Sequence, residues 1–185
     1  VPSPQSLSEA DRRLVAAWAA DCAERVLRLF ETDALTDDRP REAITRARAF
    51  ARGELDAAGE IRRRFVAGRA AHAVTAPAAV AAARAAAQAA GVAHMGAHAL
   101  GAAAYAAKAA ALAAPGQPGA TDEERSWQLA QMSPQVQAAL QRLPPLGEDS
   151  SGPLGAGLLA SGALGAHIRA IQAVIGSTPV PNDDR

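Results

Sequence analysis

From residue 78 to residue 114 the chain is almost entirely alanine, with Leu100, Tyr105 and Leu112 as its few large anchors. Alanine is the strongest helix former and is depleted from strands, where side chains must fill a pleated, half-buried surface. A stretch of this kind resembles low complexity, yet its propensity predicts packed helix, either two helices divided at Gly91 or one kinked there. Small side chains also let helix axes approach closely. The rest of the chain shares the bias: alanine exceeds a quarter of 185 residues and aromatics make up 3%. The expectation is an all-α protein, a compact bundle of about six helices with a Gly/Ala-rich C-terminal helical tail.

Start and stop signals place the elements. Ser6-Leu7-Ser8-Glu9 predicts a capping box, with Ser6 as cap and Glu9 reaching back. Leu14, Trp18, Cys22, Val26 and Leu29 then recur at three- and four-residue steps to Phe30, which predicts a buried stripe. A second helix is expected from Asp38 to Gly53, with Asp37 or Asp38 as cap, Pro40 in the first turn and Ile44, Ala47 and Phe50 or Ala51 inward. A third follows Asp56 and turns Ile61, Phe65, Gly68 and His72 inward, and Pro77 restarts the chain. Thr121 to Glu124 reads as a second capping box, Pro134 as a restart and Pro144-Pro145 as a stop. These signals divide the chain into an alanine-rich helical domain at 6–143, a docked apolar Gly-rich segment at 147–176, and a flexible tail at 177–185. Residues 147–153 read as a linker; beyond them His167, Arg169 and Gln172 are expected on one side of a helix.

Charge is balanced, 19 basic residues against 19 acidic, so no global field draws the chain to nucleic acid or membrane. The apolar run before His167 is too short to span a bilayer. One cysteine rules out an intramolecular disulfide framework, and the N-terminus carries no secretory pattern, which points to a cytoplasmic protein. The local distribution is uneven. Residues 1–38 hold four Arg and eight acids, residues 39–84 ten Arg and four acids, with Arg62-Arg63-Arg64 the densest point. Such a face could meet phosphates, but aromatics to stack on bases are few and no recognition-helix signature accompanies it. The pattern therefore does not point to nucleic acid as a partner.

Chemistry-bearing motifs are sparse. There is no GxSxG, no phosphate-binding Gly-rich loop after a strand, and no His close in sequence to activate Cys22. His94 and His98 stand at metal-ligand spacing on one predicted helix face, but MGA lies between them in place of the Glu-bearing HExxH. No acid occurs between Arg62 and Thr121, so a further ligand would have to come from another segment.

Four segments in order carry a resemblance: WAADCAERVLRLFE (18–31), DDRPREAITRARAFARGEL (37–55), HMGAHALGAAAYAAKA (94–109) and ERSWQLAQM (124–132). They resemble the bacterial Imm5-like putative immunity proteins, members of which are sometimes labelled exonuclease-related. The likeness covers about residues 7–132, and the Gly-rich tail after Leu143 departs from it. It implies an all-α, non-catalytic domain that binds and neutralises a cognate toxin, without a cofactor. Trp18, Asp21, Asp37, Asp38, Arg39, Pro40, Arg41, His94 and His98 carry over as family pattern without assigned chemistry. The partner-binding candidates are Trp18, Asp21, Asp37, Asp38, Arg39, Arg41, Arg62, Arg63 and Arg64, facing a toxin or a second copy. The competing reading is a metal- or small-ligand-binding bundle, hydrolytic in one version, using His94 and His98. Arg39, in a first turn where the helix dipole disfavours a cation, is expected to pair with Asp21 or Glu24 and tie the second helix to the first.

Overall fold

Ser8, not Ser6, starts the first helix: its hydroxyl accepts from the Asp11 N–H at 3.0 Å, and α1 runs Glu9–Glu31. The computed structural model describes residues 3–177, all helix, turn and loop without a strand; an isolated bridge joins Asp149 and Gly155. The expected tail thus lies, from residue 178 on, outside the described residues. The class is as expected, but the described residues hold nine α-helices rather than about six, because short elements appear between the long ones. They are α1, α2 Arg39–Ala51, α3 Ala57–Arg63, α4 Val66–Ala70, α5 Pro77–Gly91, α6 His98–Ala113, α7 Ala120–Ala130, α8 Pro134–Gln141 and α9 Gly162–Gly176.

The centre is α6. Every residue from Ala99 to Ala107 is buried, so the helix is covered all round, by α1, α5, α7 and α9. Its widest packing is on α5, where Ala79, Ala82, Ala83, Ala86 and Ala89 are buried in turn. With almost no side chain beyond Cβ between them, these helices gain stability from close backbone approach and dispersion rather than from large apolar areas. The larger anchors lie around that pair. Trp18, Phe30, Phe50, Ile44, Leu100, Leu140 and Ile171 are all under 2% exposed or close to it, and each such burial contributes about 1.5–3 kcal/mol.

The inner face of α1 is Val15, Trp18, Cys22, Val26 and Phe30; Leu14 is exposed and Leu29 half-buried, a rotation of the expected stripe by one residue at its start. α2 ends as the Gly signal predicts. Gly53 has φ +80°, the Gly53 N–H donates to Phe50 O and the Glu54 N–H to Ala49 O, each at 3.0 Å, a Schellman closure. The third expected helix is broken into α3 and α4 around Arg64 and Phe65, where the Arg64 guanidinium folds back onto Ile61 O at 2.6 Å. The break swings Phe65 and His72 outward, against expectation, leaving Phe65 60% exposed. α7 starts at Ala120 on Gly119, without a side-chain cap; Glu124 is instead drawn inside by Arg25. Leu112, expected as an anchor, is 40% exposed near the end of α6.

Residues 147–153, expected as a linker, are a held loop. The buried Gln5 side chain donates to Asp149 Oδ2 and Ser151 O, both at 2.7 Å, and accepts from the Leu154 N–H at 2.9 Å. Backbone N–H groups of Gly96 and Ala97 meanwhile donate to Ser6 O and Gln5 O. α9, which begins only at Gly162, packs on α6 and α8 through Leu164, Ile168, Ile171 and Ile175. His167, Arg169 and Gln172 do not share a side of it: His167 is buried, Arg169 exposed and Gln172 half-buried. No helix among the described residues is long and apolar enough to cross a membrane.

Candidate functional site

α2 runs back along α1, and that direction decides which charges meet. Arg41 reaches Glu31 at 2.6 Å near the turn, and further along Arg48 reaches Asp21 at 2.7 Å and Glu24 at 2.6 Å. The clamp predicted between α1 and α2 therefore exists, but Arg48 makes it. Arg39 stands at the far end of the hairpin, beyond the reach of Asp21 and Glu24. It is held by Asp37 instead: Arg39 Nε donates to Oδ1 at 2.8 Å, Nη2 to Oδ2 at 2.5 Å, and the Arg39 N–H to Oδ1 at 3.2 Å. Asp37 thus supplies both the local turn and the negative charge that offsets a cation in the first turn. Asp38 is exposed and makes no side-chain cap. The Arg39 hydrogen bonds hold the Asp37 carboxyl below its usual range, and those of Arg48 do the same for Glu24.

The arginine face is largely neutralised. Arg46 pairs with the buried Glu60, Arg63 with Glu42 at 2.6 Å, and Arg52 with Glu54 at 2.6 Å. Arg39 and Arg63 line one shallow depression across Glu42 and Arg46, while Arg62 points outward and Arg64 faces another surface. Trp18, a partner-binding candidate in the sequence, is 2% exposed and unavailable to a partner. Its Nε1–H donates to Gln128 O at 2.8 Å. Gln128, fully buried, donates to Ala103 O at 3.0 Å and accepts from His167 Nε2 at 2.8 Å, joining α1, α6, α7 and α9. Burial lowers the His167 pKa to about 4, keeping the ring neutral. Gln128 Nε2 also reaches Glu124 Oε1 at 3.5 Å, and the buried Glu124 pairs at 2.7 Å with Arg25, which lies over the Trp127 ring at 4.4 Å.

His94 and His98 do not share a helix face, because the chain breaks between α5 and α6: His94 sits in the turn and His98 opens α6. Both line a groove of about 620 Å³ between the α3–α4 junction, α5, α6 and residues 152–159. His98 Nδ1 donates to Gln88 Oε1 at 2.8 Å. Two glycines make room for that pair. A Cβ at Gly91 would lie 2.9 Å from the His98 ring, and one at Gly101 would run into the Gln88 amide. Burial, with smaller contributions from His94 and Arg64, lowers the His98 pKa to about 4. Among the described residues no group of three or more His, Cys, Asp or Glu is placed to hold a metal ion. Arg84, Gln88 and Tyr105 also line the groove, and the sequence reading missed them as site residues. The available signal was slight: Arg84 and Gln88 are the polar interruptions of the α5 alanine run.

No curated protein and no solved structure matches the chain. A family model described as Imm-5 like putative immunity protein matches residues 5–135, which takes in α1 to α7, the Asp37–Arg41 turn and the arginine face. On that match, the chain belongs to the Imm-5 like putative immunity protein family.

Proposed function

We propose that this protein is a non-catalytic immunity protein that binds a cognate bacterial toxin and neutralises it. Family membership over residues 5–135 is the observation that carries the reading. The geometry supports it in kind. An inhibitor needs a surface whose charges are already fixed, so that little side-chain entropy is lost on docking. The α2–α3 face has that character, with Arg39 held by Asp37, Arg41 by Glu31 and Arg63 by Glu42. In this reading Asp37, Asp38, Arg39, Arg41, Arg62 and Arg63 meet the partner, and Asp21 borders them through Arg48. Arg64 lies to the side. The same proposal places the domain end near residue 143, with residues 147–176 as a docked addition to the family pattern.

The test is co-production with a toxin domain encoded beside this gene. A complex that co-elutes in size exclusion, together with rescue of growth, is the expected result. Reversing the charge of Arg62 and Arg63 together should weaken the complex about tenfold or more, chiefly through faster dissociation. Growth arrest unrelieved by the wild-type chain, with no complex formed, would sink the proposal.

A further inference from the structure

Most guanidinium groups on the α1–α3 surface meet a carboxylate of the same chain. The groove between the α3–α4 junction and α5 is different. Every titratable group that lines it is a base or a phenol: Arg64, Arg84, His94, His98 and Tyr105. Among the described residues neither Arg64 nor Arg84 has a carboxylate partner. Two guanidinium groups lining one groove without a carboxylate leave it positively charged, which favours an anion there.

A second observation points the same way. Tyr105 is 4% exposed and lines the cavity, yet its hydroxyl makes no hydrogen bond among the described residues. The ring is buried while the hydroxyl opens onto the groove, where it can donate to a ligand. Arg84 is close enough to act on it electrostatically, opposing the upward push that burial gives its pKa. Hydroxyl and guanidinium thus both offer hydrogen-bond donors to the groove. Beside them His98 is locked by Gln88, its orientation fixed at 2.8 Å in the space left by Gly91 and Gly101. The lips are apolar: Phe65 is 60% and Leu158 66% exposed, and the Arg64 guanidinium covers the Phe65 ring at 4.2 Å. The volume, about 620 Å³, lies inside the range of about 300–1,000 Å³ of small-molecule clefts.

We propose that this groove is a binding site for a small organic anion, a carboxylate or phosphate monoester with an apolar body. Arg84 and Arg64 hold the charged group, the Tyr105 hydroxyl donates to it, and Phe65 and Leu158 close over the body. The site is separate from the α2–α3 face, so it stands or falls independently of toxin binding.

The test is a titration of the purified full-length chain, followed by calorimetry and by the NMR signals of the His94 and His98 rings. The probes are phenylacetate, phenyl phosphate, neutral phenylacetamide, and acetate and inorganic phosphate as bodiless anions. Saturable binding of phenylacetate or phenyl phosphate is expected, with whichever binds tighter naming the head group. The neutral amide and the bodiless anions should each bind at least about tenfold more weakly. Arg84→Gln and Tyr105→Phe should each cut affinity about tenfold while the helical circular dichroism stays unchanged. Absence of saturation by either charged aromatic probe at millimolar concentration would overturn the proposal, as would equal binding of the amide. Tighter binding of the acidic peptide acetyl-Leu-Glu-Leu-Glu-amide than of both small anions would overturn it in favour of a protein segment.

Discussion

A methyl group at residue 91 sets two effects against each other. Replacing a helical glycine by alanine normally stabilises by about 0.5–1 kcal/mol. At Gly91 the new Cβ would lie 2.9 Å from the stem of the His98 ring, which cannot swing away without losing Gln88. Overpacking of this kind costs about 1–3 kcal/mol, so Gly91→Ala should lower stability in urea. Gly68→Ala is the control. Its Cβ would find only Ala87 at 3.8 Å, and the substitution should raise stability by about 0.5–1 kcal/mol. A stabilised Gly91→Ala would show that His98 is not fixed where the structure has it. None of this was legible in the sequence, where Gly91 reads as a helix divider. A glycine's reason for being there is the atom opposite it, and here that atom belongs to the next helix.

Among elements, the α1–α2 hairpin shows what sequence reading reaches and where it stops. Pro40, Gly53 and the apolar spacing at Ile44, Ala47 and Phe50 are local signals, and they located α2 closely. Which arginine meets Asp21 depends on how far α2 slides along α1. No local signal carries that offset, so the first-turn Arg39 looks like the partner while Arg48 occupies the place. The structural assignment predicts an order of effects: Arg48→Ala, which leaves Asp21 and Glu24 facing each other unpaired, should cost about 1 kcal/mol. Arg39→Ala should cost less, since Asp37 retains its turn hydrogen bond from the backbone. Thermal denaturation of the two variants decides it, and a costlier Arg39→Ala would contradict the offset. Helix breaks were equally hidden, because the composition around Arg64 reads as continuous helix while the fold divides it into α3 and α4.

At the scale of the molecule, the alanine content settled the class and the amount of helix, while the interior polar network was invisible. Trp18, Gln128 and His167 are 110 and 39 residues apart in successive pairs, and only the folded chain brings them together. Trp18→Phe should cost about 1–3 kcal/mol by leaving the Gln128 carbonyl buried without its donor. The histidines give the whole fold an acid dependence. His98 and His167 titrate near 4 when folded and near 6.5 when unfolded, so the unfolded chain binds more protons between those values. Their contribution is full above about pH 6.5 and is lost as pH falls towards 4, on the order of 3 kcal/mol each. Glu24 and Asp37, whose carboxyls their arginine partners hold below the ordinary range, also contribute stability that is lost as pH falls through their folded values. Urea midpoints should therefore fall steeply from neutral pH to about pH 4.5; a flat profile would refute the buried neutral rings. Finally, Gln5 binds partners 144 to 149 residues further on, at Asp149, Ser151 and Leu154. During synthesis Gln5 would wait until residue 154 had been made before finding all of those partners. Closing so long a loop comes late and slowly. The segment at 152–159 that walls the groove is thus held by a contact that can form only after α5 and α6 have both been synthesised.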